Sequence, residues 1–64
     1  MLNQHLIGEY VYLKFGKYHG EKGQIRRVTT KKGEPAFIVT LDRNGTQVIK
    51  RQKNCVLVGG KFDI

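Results

Sequence analysis

The sequence contains few residues that crosslink or stiffen a chain: one cysteine, one proline and no tryptophan among 64 residues. Because Cys55 is alone, an intrachain disulfide and a zinc site made of several cysteines are excluded. No apolar run approaches the ~20 residues that a membrane-spanning helix needs. Residues 1–7 lack a basic start followed by a long apolar stretch, so we expect no secretory signal. The lone thiol and the missing signal predict a cytoplasmic protein without a membrane partner.

Acidic residues are also scarce, and this is the strongest global feature of the sequence. Five Asp and Glu stand against twelve Lys and Arg, which gives a formal net charge of +7. Such a charge density predicts a polyanionic partner, with nucleic acid ahead of an anionic membrane surface. The alternative is that the charge only keeps the protein soluble and monomeric through self-repulsion. The acidic residues are scattered over turns and ends and form no pair: Glu9, Glu21, Glu34, Asp42 and Asp63.

Groups suited to catalysis are few. The two histidines, His5 and His19, have only isolated carboxylates near them in the sequence. Cys55 lies in an apolar segment, where a thiol is inert rather than nucleophilic. No glycine-rich phosphate-binding motif of the nucleotide-hydrolase type is present. Because one small domain also leaves little room for a closed pocket, we expect a protein that is not an enzyme, with no cofactor and no metal site.

The hydrophobic residues recur mainly with a period of two. Over residues 10–15, Val11, Leu13 and Phe15 alternate with other side chains, which predicts a β-strand with these three facing the core. The segment 36–41 is apolar on both faces, so we expect it to be the most buried strand. Including these two, the predicted strands cover residues 10–15, 24–30, 36–41, 46–50 and 55–58.

Irregularities in the pattern predict a bulge and several turns. Ile25 and Val28 are three positions apart, so a β-bulge near Arg26 and Arg27 is needed to keep both on the inner face. Pro35 cannot donate to the ladder of a central strand and is therefore expected in a turn. Turns are predicted at residues 31–35, at Asn44-Gly45, which is the strongest short hairpin signal, and as one tight turn at residues 51–54.

Five short strands with tight turns predict an all-β fold, a small five-stranded antiparallel barrel. Closure into a barrel removes the exposed edges of a small sheet. The SH3-like barrel fits better than the OB-fold, because the hairpin at Asn44-Gly45 leaves no room for the helix that an OB-fold often carries. We expect residues 1–7 to be a lead-in, helical or extended, residues 8–58 to form the barrel, and residues 59–64 to be a flexible C-terminal tail.

Residues 8–25 resemble a KOW motif. This motif has a glycine before the first strand, an alternating apolar strand, a glycine-containing basic and aromatic loop, and a key glycine followed by an aliphatic residue. The resemblance extends over residues 8–58 and implies an SH3-like barrel, as in ribosomal proteins and NusG-type transcription elongation factors. Barrels of this family contact RNA, DNA or proteins. The matching residues are Gly8, Val11, Leu13, Gly16, Gly20, Lys22, Gly23, Gln24 and Ile25.

The basic residues of this region are not needed to build the fold, so they are the candidate binding residues. Lysines and arginines on one surface can contact phosphates, and tyrosine rings can stack on bases. For Tyr10 and Tyr12 the alternative, a half-buried barrel residue, is stronger than for Tyr18. Lys31 and Lys32 form a separate basic group. The candidate nucleic-acid-binding residues are Lys14, Lys17, Tyr18, His19, Lys22, Arg26 and Arg27, with a second group at Lys50, Arg51 and Lys53.

Two functional hypotheses follow. The first is a nucleic-acid-binding protein that contacts RNA or DNA with little sequence specificity in a transcription- or ribosome-related role. The second is a protein-interaction module that binds a partner of the transcription or translation machinery. It requires an exposed apolar patch or pairing edge, for which Phe37, Ile38 and Phe62 are candidates. Either protein is expected to be a monomer or a weak homo-oligomer.

Overall fold

The computed structural model describes residues 4–58, which form a single antiparallel sheet. Its strands are β1 (Tyr10–Leu13), β2 (Lys22–Lys31), β3 (Glu34–Leu41), β4 (Gln47–Arg51) and β5 (Cys55–Leu57). Two 3₁₀ turns, η1 (Gln4–Leu6) and η2 (Gln52–Asn54), precede β1 and β5. The predicted all-β fold of five antiparallel strands is therefore confirmed. The predicted tail at residues 59–64, with Phe62, lies outside the described residues, as does the start of the lead-in.

The strands lie in the order β4-β3-β2-β1-β5, so β4 and β5 are the two edges of the sheet. Within residues 4–58, hydrogen bonding between strands leaves the sheet open between these edges rather than closed into a barrel. Side chains bridge this opening instead. The Lys50 Nζ donates to the Phe15 carbonyl at 3.2 Å, and the Lys14 Nζ donates to the Lys53 carbonyl at 3.3 Å. The chain ends of β1 and β4 are thereby held together without a strand pair.

The core lies on one face of the curled sheet, where alternate residues of each strand meet. Phe37, expected as part of an exposed patch, is fully buried there, so that prediction is wrong for this residue. Alternation explains the difference, because Phe37 lies two positions from Val39 on the inner face of β3. The buried cluster comprises Leu6, Val11, Leu13, Ile25, Phe37, Val39, Leu41, Cys55 and Leu57.

The first strand is shorter than predicted, and this releases an aromatic side chain. β1 ends at Leu13, and Phe15 is 63% exposed instead of facing the core. β5 provides only three partners to β1, ending with Cys55 opposite Leu13, so no strand residue is available opposite Phe15. Tyr18, from the same loop, packs against the core.

The predicted bulge in β2 is confirmed. Ile25 pairs with Val39 and Arg27 pairs with Ile38, so Arg26 is the extra residue. The bulge shifts the alternation by one position, and Val28 consequently packs against the core.

The β2–β3 hairpin places Pro35 inside a strand, against the sequence prediction. Lys32 and Gly33 have φ values of 51° and 81°, the signs that a type I′ turn requires. Pro35 lies opposite Thr30, next to the closing pair Lys31–Glu34. Adjacent antiparallel pairs alternate between bonded and non-bonded, so Pro35 occupies a non-bonded position. The ladder to β4 begins only at Ala36, so the missing N–H of Pro35 removes no bond there.

The hairpin predicted at Asn44-Gly45 is confirmed, but its loop is longer than a two-residue turn. Residues 42–46 separate β3 from β4. Gly45 has a φ of 74°, and its N–H donates to the Leu41 carbonyl at 2.8 Å. The Asn44 Oδ1 accepts a hydrogen bond from the Thr46 N–H at 2.9 Å. The carboxamide of Asn44 therefore fixes the loop from within.

Candidate nucleic-acid interface

Two tyrosine rings lie side by side on the outer face of β1. Val11 and Leu13 are buried, so Tyr10 and Tyr12 point away from the core, and they are 41% and 45% exposed. Residues two apart on a strand are separated by about 6.5–7 Å. The expectation that these rings are half-buried agrees with these values, and their exposed part lies on the outer face of the sheet. The alternation that predicted the strand also contained the signal for their exposure.

The loop tyrosine, in contrast, is held in place. Tyr18 is half-buried and packs against the core, although the sequence favoured it as the accessible ring. The Lys17 Nζ lies 5.5 Å from the centroid of the Tyr18 ring, within cation–π distance. His19, next in the loop, is exposed, and its backbone N–H donates to the Gly16 carbonyl at 3.1 Å.

Cationic side chains of β2 adjoin the tyrosines of β1. Lys22 lies opposite Tyr12, and its Nζ is 5.5 Å from the centre of the Tyr10 ring. Gln24 lies opposite Tyr10, and the Arg26 Nη1 donates to the Gln24 Oε1 at 3.4 Å. We call Tyr10, Tyr12, Lys22 and Arg26 the outer-face patch.

Arg27 follows Arg26 on β2 and is exposed. Its partner in the ladder is Ile38 of β3. Because Val28 packs against the core, the alternation after the bulge directs Arg27 to the outer face. The bulge thus places two consecutive arginines on the solvent side, where a regular strand would turn one of them inward.

A second group of predicted residues meets at the opening between β4 and β5. It consists of Lys14, Lys50 and Lys53, together with the exposed Phe15, and we call it the open-edge group. The Lys50 side chain reaches the Phe15 carbonyl after β1, and the Lys14 side chain reaches the Lys53 carbonyl in η2, as described above. This convergence depends on the fold, since Lys14 and Lys50 are far apart in the sequence.

The cations of the open-edge group also act on the buried thiol beneath them. Burial raises the pKa of Cys55 from 9.0 to about 11, while the positive charges of Lys50 and Lys14 lower it in part. The thiol donates to the Arg51 carbonyl at 3.5 Å. The expectation that Cys55 is a core thiol agrees with its burial.

Acidic side chains neutralise part of the second basic group. The Glu34 Oε1 is 3.3 Å from the Lys53 Nζ and 3.8 Å from the Arg51 Nε. Only a quarter of the Arg51 side chain is exposed, and its Nε is buried without a hydrogen-bond partner among residues 4–58. Arg51 is therefore better placed to hold the hairpin end than to contact a ligand.

Lys31 and Lys32 lie apart from the outer-face patch, although their hairpin carries Glu34, which pairs with Lys53 of the open-edge group. They lie at the β2–β3 hairpin, whereas Lys17 and Lys22 lie at the opposite end of β2. A strand of ten residues spans on the order of 30 Å. These two lysines therefore serve as a charge-matched control for the outer-face patch.

Two further features are absent from the part of the chain that the structure describes. Among residues 4–58, no group of three or more His, Cys, Asp and Glu side chains is arranged to hold a metal ion. The same residues include no helix with the length and apolarity needed to cross a membrane.

Comparisons with known proteins do not identify a family. No family model matches the chain, and no curated protein or solved structure is significantly similar to it. The function must therefore be argued from the residues and their arrangement.

Proposed function

We propose that this protein binds single-stranded nucleic acid, RNA or DNA, through the outer-face patch, with little sequence specificity. The observation that carries the proposal is the pair of exposed rings, Tyr10 and Tyr12, beside the cations Lys22 and Arg26. Single-strand sites combine aromatic stacking platforms with positive charge that follows the backbone. Two rings on adjacent outward positions of one strand offer two consecutive stacking positions.

Each part of the patch has a different energetic role. Stacking of a base on an aromatic side chain contributes about 1–3 kcal/mol and tolerates all bases, because every base has a π-face. Lysine and arginine contacts to phosphate strengthen binding through counterion release and carry no sequence information. This combination predicts measurable affinity, strong salt dependence and weak discrimination between sequences.

The distribution of charge supports the same surface. Glu21, Glu34 and Asp42 form ion pairs with cations near the two ends of β2. Arg26 and Arg27 lie between these ends, on the exposed bulge. Neither arginine forms an ion pair within residues 4–58, so both charges are available to attract a polyanion to the outer face.

The resemblance to the KOW motif supports a role in transcription or on the ribosome, as part of the proposal. In the structure, Gly23 lies where another backbone passes closely: a Cβ there would be 2.7 Å from the Thr40 carbonyl oxygen. A glycine required by close packing at the start of the second strand agrees with the key glycine of that motif.

The proposal is tested by measuring affinity for labelled oligo(U), oligo(dT) and duplex DNA over a series of salt concentrations. We expect Tyr12→Ala to weaken single-strand binding by roughly 5- to 150-fold, the equivalent of about 1–3 kcal/mol. Lys22→Ala combined with Arg26→Ala should reduce the slope of log affinity against log salt by about 0.7–1.4, since each single-strand phosphate contributes about 0.7 and Asp42 neutralises part of the charge of Lys22.

The matched control removes the same charge at the far hairpin, as Lys31→Ala combined with Lys32→Gly. It should lower affinity less and leave the stacking contribution unchanged. Equal losses from the control and from the patch variant would show that only net charge matters. No binding by the wild-type protein at low salt would refute the proposal outright.

A second candidate function, a protein-interaction module, is favoured by the apolar part of the open sheet edges. Ile49 of β4 and Val58, directly after β5, are 40% and 41% exposed. Edge strands can pair with a strand of another protein. Under this alternative, Ile49→Lys should abolish association with the partner or with a second copy. It should leave nucleic-acid affinity equal or higher, because it adds a positive charge.

A further inference from the structure

A cleft of about 300 Å³ lies between the β1–β2 loop and the β3–β4 loop. Antiparallel pairing brings the two loops to the same end of the sheet, where the Asp42 N–H donates to the Lys22 carbonyl at 3.0 Å. Small-molecule sites span about 300–1,000 Å³, so the cleft is large enough for one small ligand. It is lined by Lys17, Tyr18, Glu21, Leu41, Arg43 and Asn44.

The cleft is rich in hydrogen-bond donors. The Arg43 Nη1 donates to the Glu21 Oε2 at 2.9 Å, which uses one of five N–H groups of the guanidinium. Asn44 uses its Oδ1 within the loop, so its Nδ2 group is left to donate. Lys17 adds an ammonium group. The carboxylate of Glu21 already accepts a hydrogen bond from Arg43. The remaining N–H donors of the cleft therefore suit an anion with several acceptor oxygens.

The lining of the cleft is mainly polar. Leu41 is only 1% exposed, and the ring of Tyr18 packs against the core with the Lys17 Nζ 5.5 Å from its centroid, so little apolar surface is open to a ligand. We propose that the cleft binds the phosphate of one nucleotide through Lys17 and Arg43, and that the sugar and base lie outside it.

The cleft continues from the outer-face patch. The Lys22 Nζ is 3.7 Å from the Asp42 Oδ2 at the rim of the β3–β4 loop and 5.5 Å from the Tyr10 ring centre. A strand stacked on the tyrosines would reach the cleft after passing Lys22. The inference rests on the proposed function in this respect, since a free nucleotide offers the same chemistry as a nucleotide within a bound strand.

The first experiment titrates ¹⁵N-labelled protein with uridine monophosphate and, separately, with uridine. We expect the monophosphate to shift the backbone amides of Lys17, Tyr18, Arg43 and Asn44, and uridine to shift them much less. Arg43→Ala should weaken binding of the monophosphate by roughly 10- to 150-fold, because a hydrogen bond to a charged group contributes about 1.5–3 kcal/mol. Lys31→Ala, a charge-matched control at the far hairpin, should change the affinity for the monophosphate little.

A second pair of variants removes negative charge and tests whether binding of the monophosphate becomes tighter. Glu21→Gln removes a negative charge from the cleft and frees the guanidinium of Arg43, so it should tighten monophosphate binding. Glu9→Gln removes the same charge outside the cleft lining and should have a smaller effect. Equal effects of the two variants, or weaker binding by Glu21→Gln, would overturn the assignment.

The outcomes separate this inference from the proposed function. If single strands bind but the monophosphate shifts no amide of the cleft and Arg43→Ala leaves strand affinity unchanged, the cleft inference is wrong and the proposed function stands. If the monophosphate occupies the cleft while no strand binds, the cleft takes free nucleotides and the proposed function is wrong. Equal binding of uridine and its monophosphate would refute the phosphate site.

Discussion

Substitution of Gly23 by alanine should destabilise the sheet more than any ordinary surface change. Gly23 lies in β2 between Val11 of β1 and Leu41 of β3. A Cβ at this position would be 2.5 Å from the Val39 Cγ1 and 2.7 Å from the Thr40 carbonyl oxygen. Both separations are below 3.0 Å, which real Cβ atoms essentially never show, so the neighbours must shift.

The expected loss follows from what can move. Val39 is fully buried, so its methyl group cannot turn into solvent, and the Thr40 carbonyl belongs to the backbone of a strand that is paired on both sides. Overpacking of this kind costs typically about 1–3 kcal/mol. The intrinsic preference for alanine over glycine within a strand offsets about 0.5–1 kcal/mol. A net loss of about 1–2 kcal/mol is large for a domain of this size, whose total stability is about 3–10 kcal/mol.

Urea denaturation followed by circular dichroism measures this loss, and thermal unfolding should show a Tm lower by roughly 4–16 °C. Adding Val39→Ala removes the contact with Cγ1 but not the contact with the Thr40 carbonyl. The double variant should therefore lose less stability than the sum of the two single variants. Wild-type stability of Gly23→Ala, or strict additivity with Val39→Ala, would refute the close approach as the reason for glycine.

Three further predictions concern the hairpin, the thiol and the open edge. Lys32→Asn should stabilise the protein by about 0.5–1 kcal/mol, because asparagine tolerates positive φ better than lysine and Asn-Gly favours the type I′ turn. The midpoint of urea denaturation measures this gain in stability. Since the pKa of Cys55 is raised to about 11, the thiol should contribute stability that is fully present below pH 9 and is lost as the pH rises through 11. Cys55→Ala should lack this part of the alkaline loss when unfolding is compared at pH 8 and pH 10.5. Lys50→Met should cost about 0.5–1.5 kcal/mol through the lost hydrogen bond to the Phe15 carbonyl, and an unchanged unfolding free energy would contradict the bridging role.

The features of the fold that could be predicted from the sequence depend on local patterns. Alternation in β1 and the three-residue spacing of Ile25 and Val28 are both local, and they predicted the strand and the bulge. The prediction for Pro35 is wrong because the effect of a proline in a strand depends on the hairpin register, which places Pro35 at a non-bonded position. Register is set by the turn at Lys32 and Gly33, and the positive φ of Lys32 is unusual for a residue other than glycine.

The predicted end of β1 is wrong for a different reason. Phe15 continues the alternation of apolar residues that begins with Val11 and Leu13, so this alternation gives no sign that the strand stops earlier. The strand stops because β5 begins only at Cys55, directly after η2, and the Lys14 N–H donates to the Asn54 carbonyl instead. A strand ends where its partner ends, and the partner lies more than forty positions away in the chain.

The proposed binding surface could not be predicted fully from the sequence either, because its charge depends on the fold. Net charge alone does not distinguish a solubility role from a binding role, because the effect of a cation depends on whether an acid lies beside it. The ladder brings Asp42 to Lys22 at one end of β2, and the β2–β3 hairpin brings Glu34 to Lys53 at the other. Three of the four acidic residues in the described part of the chain are engaged at these ends. The arginines of the bulge lie between them, on the same outer face as Tyr10 and Tyr12, so the register of the sheet joins them to two tyrosines that the sequence did not place among the binding residues.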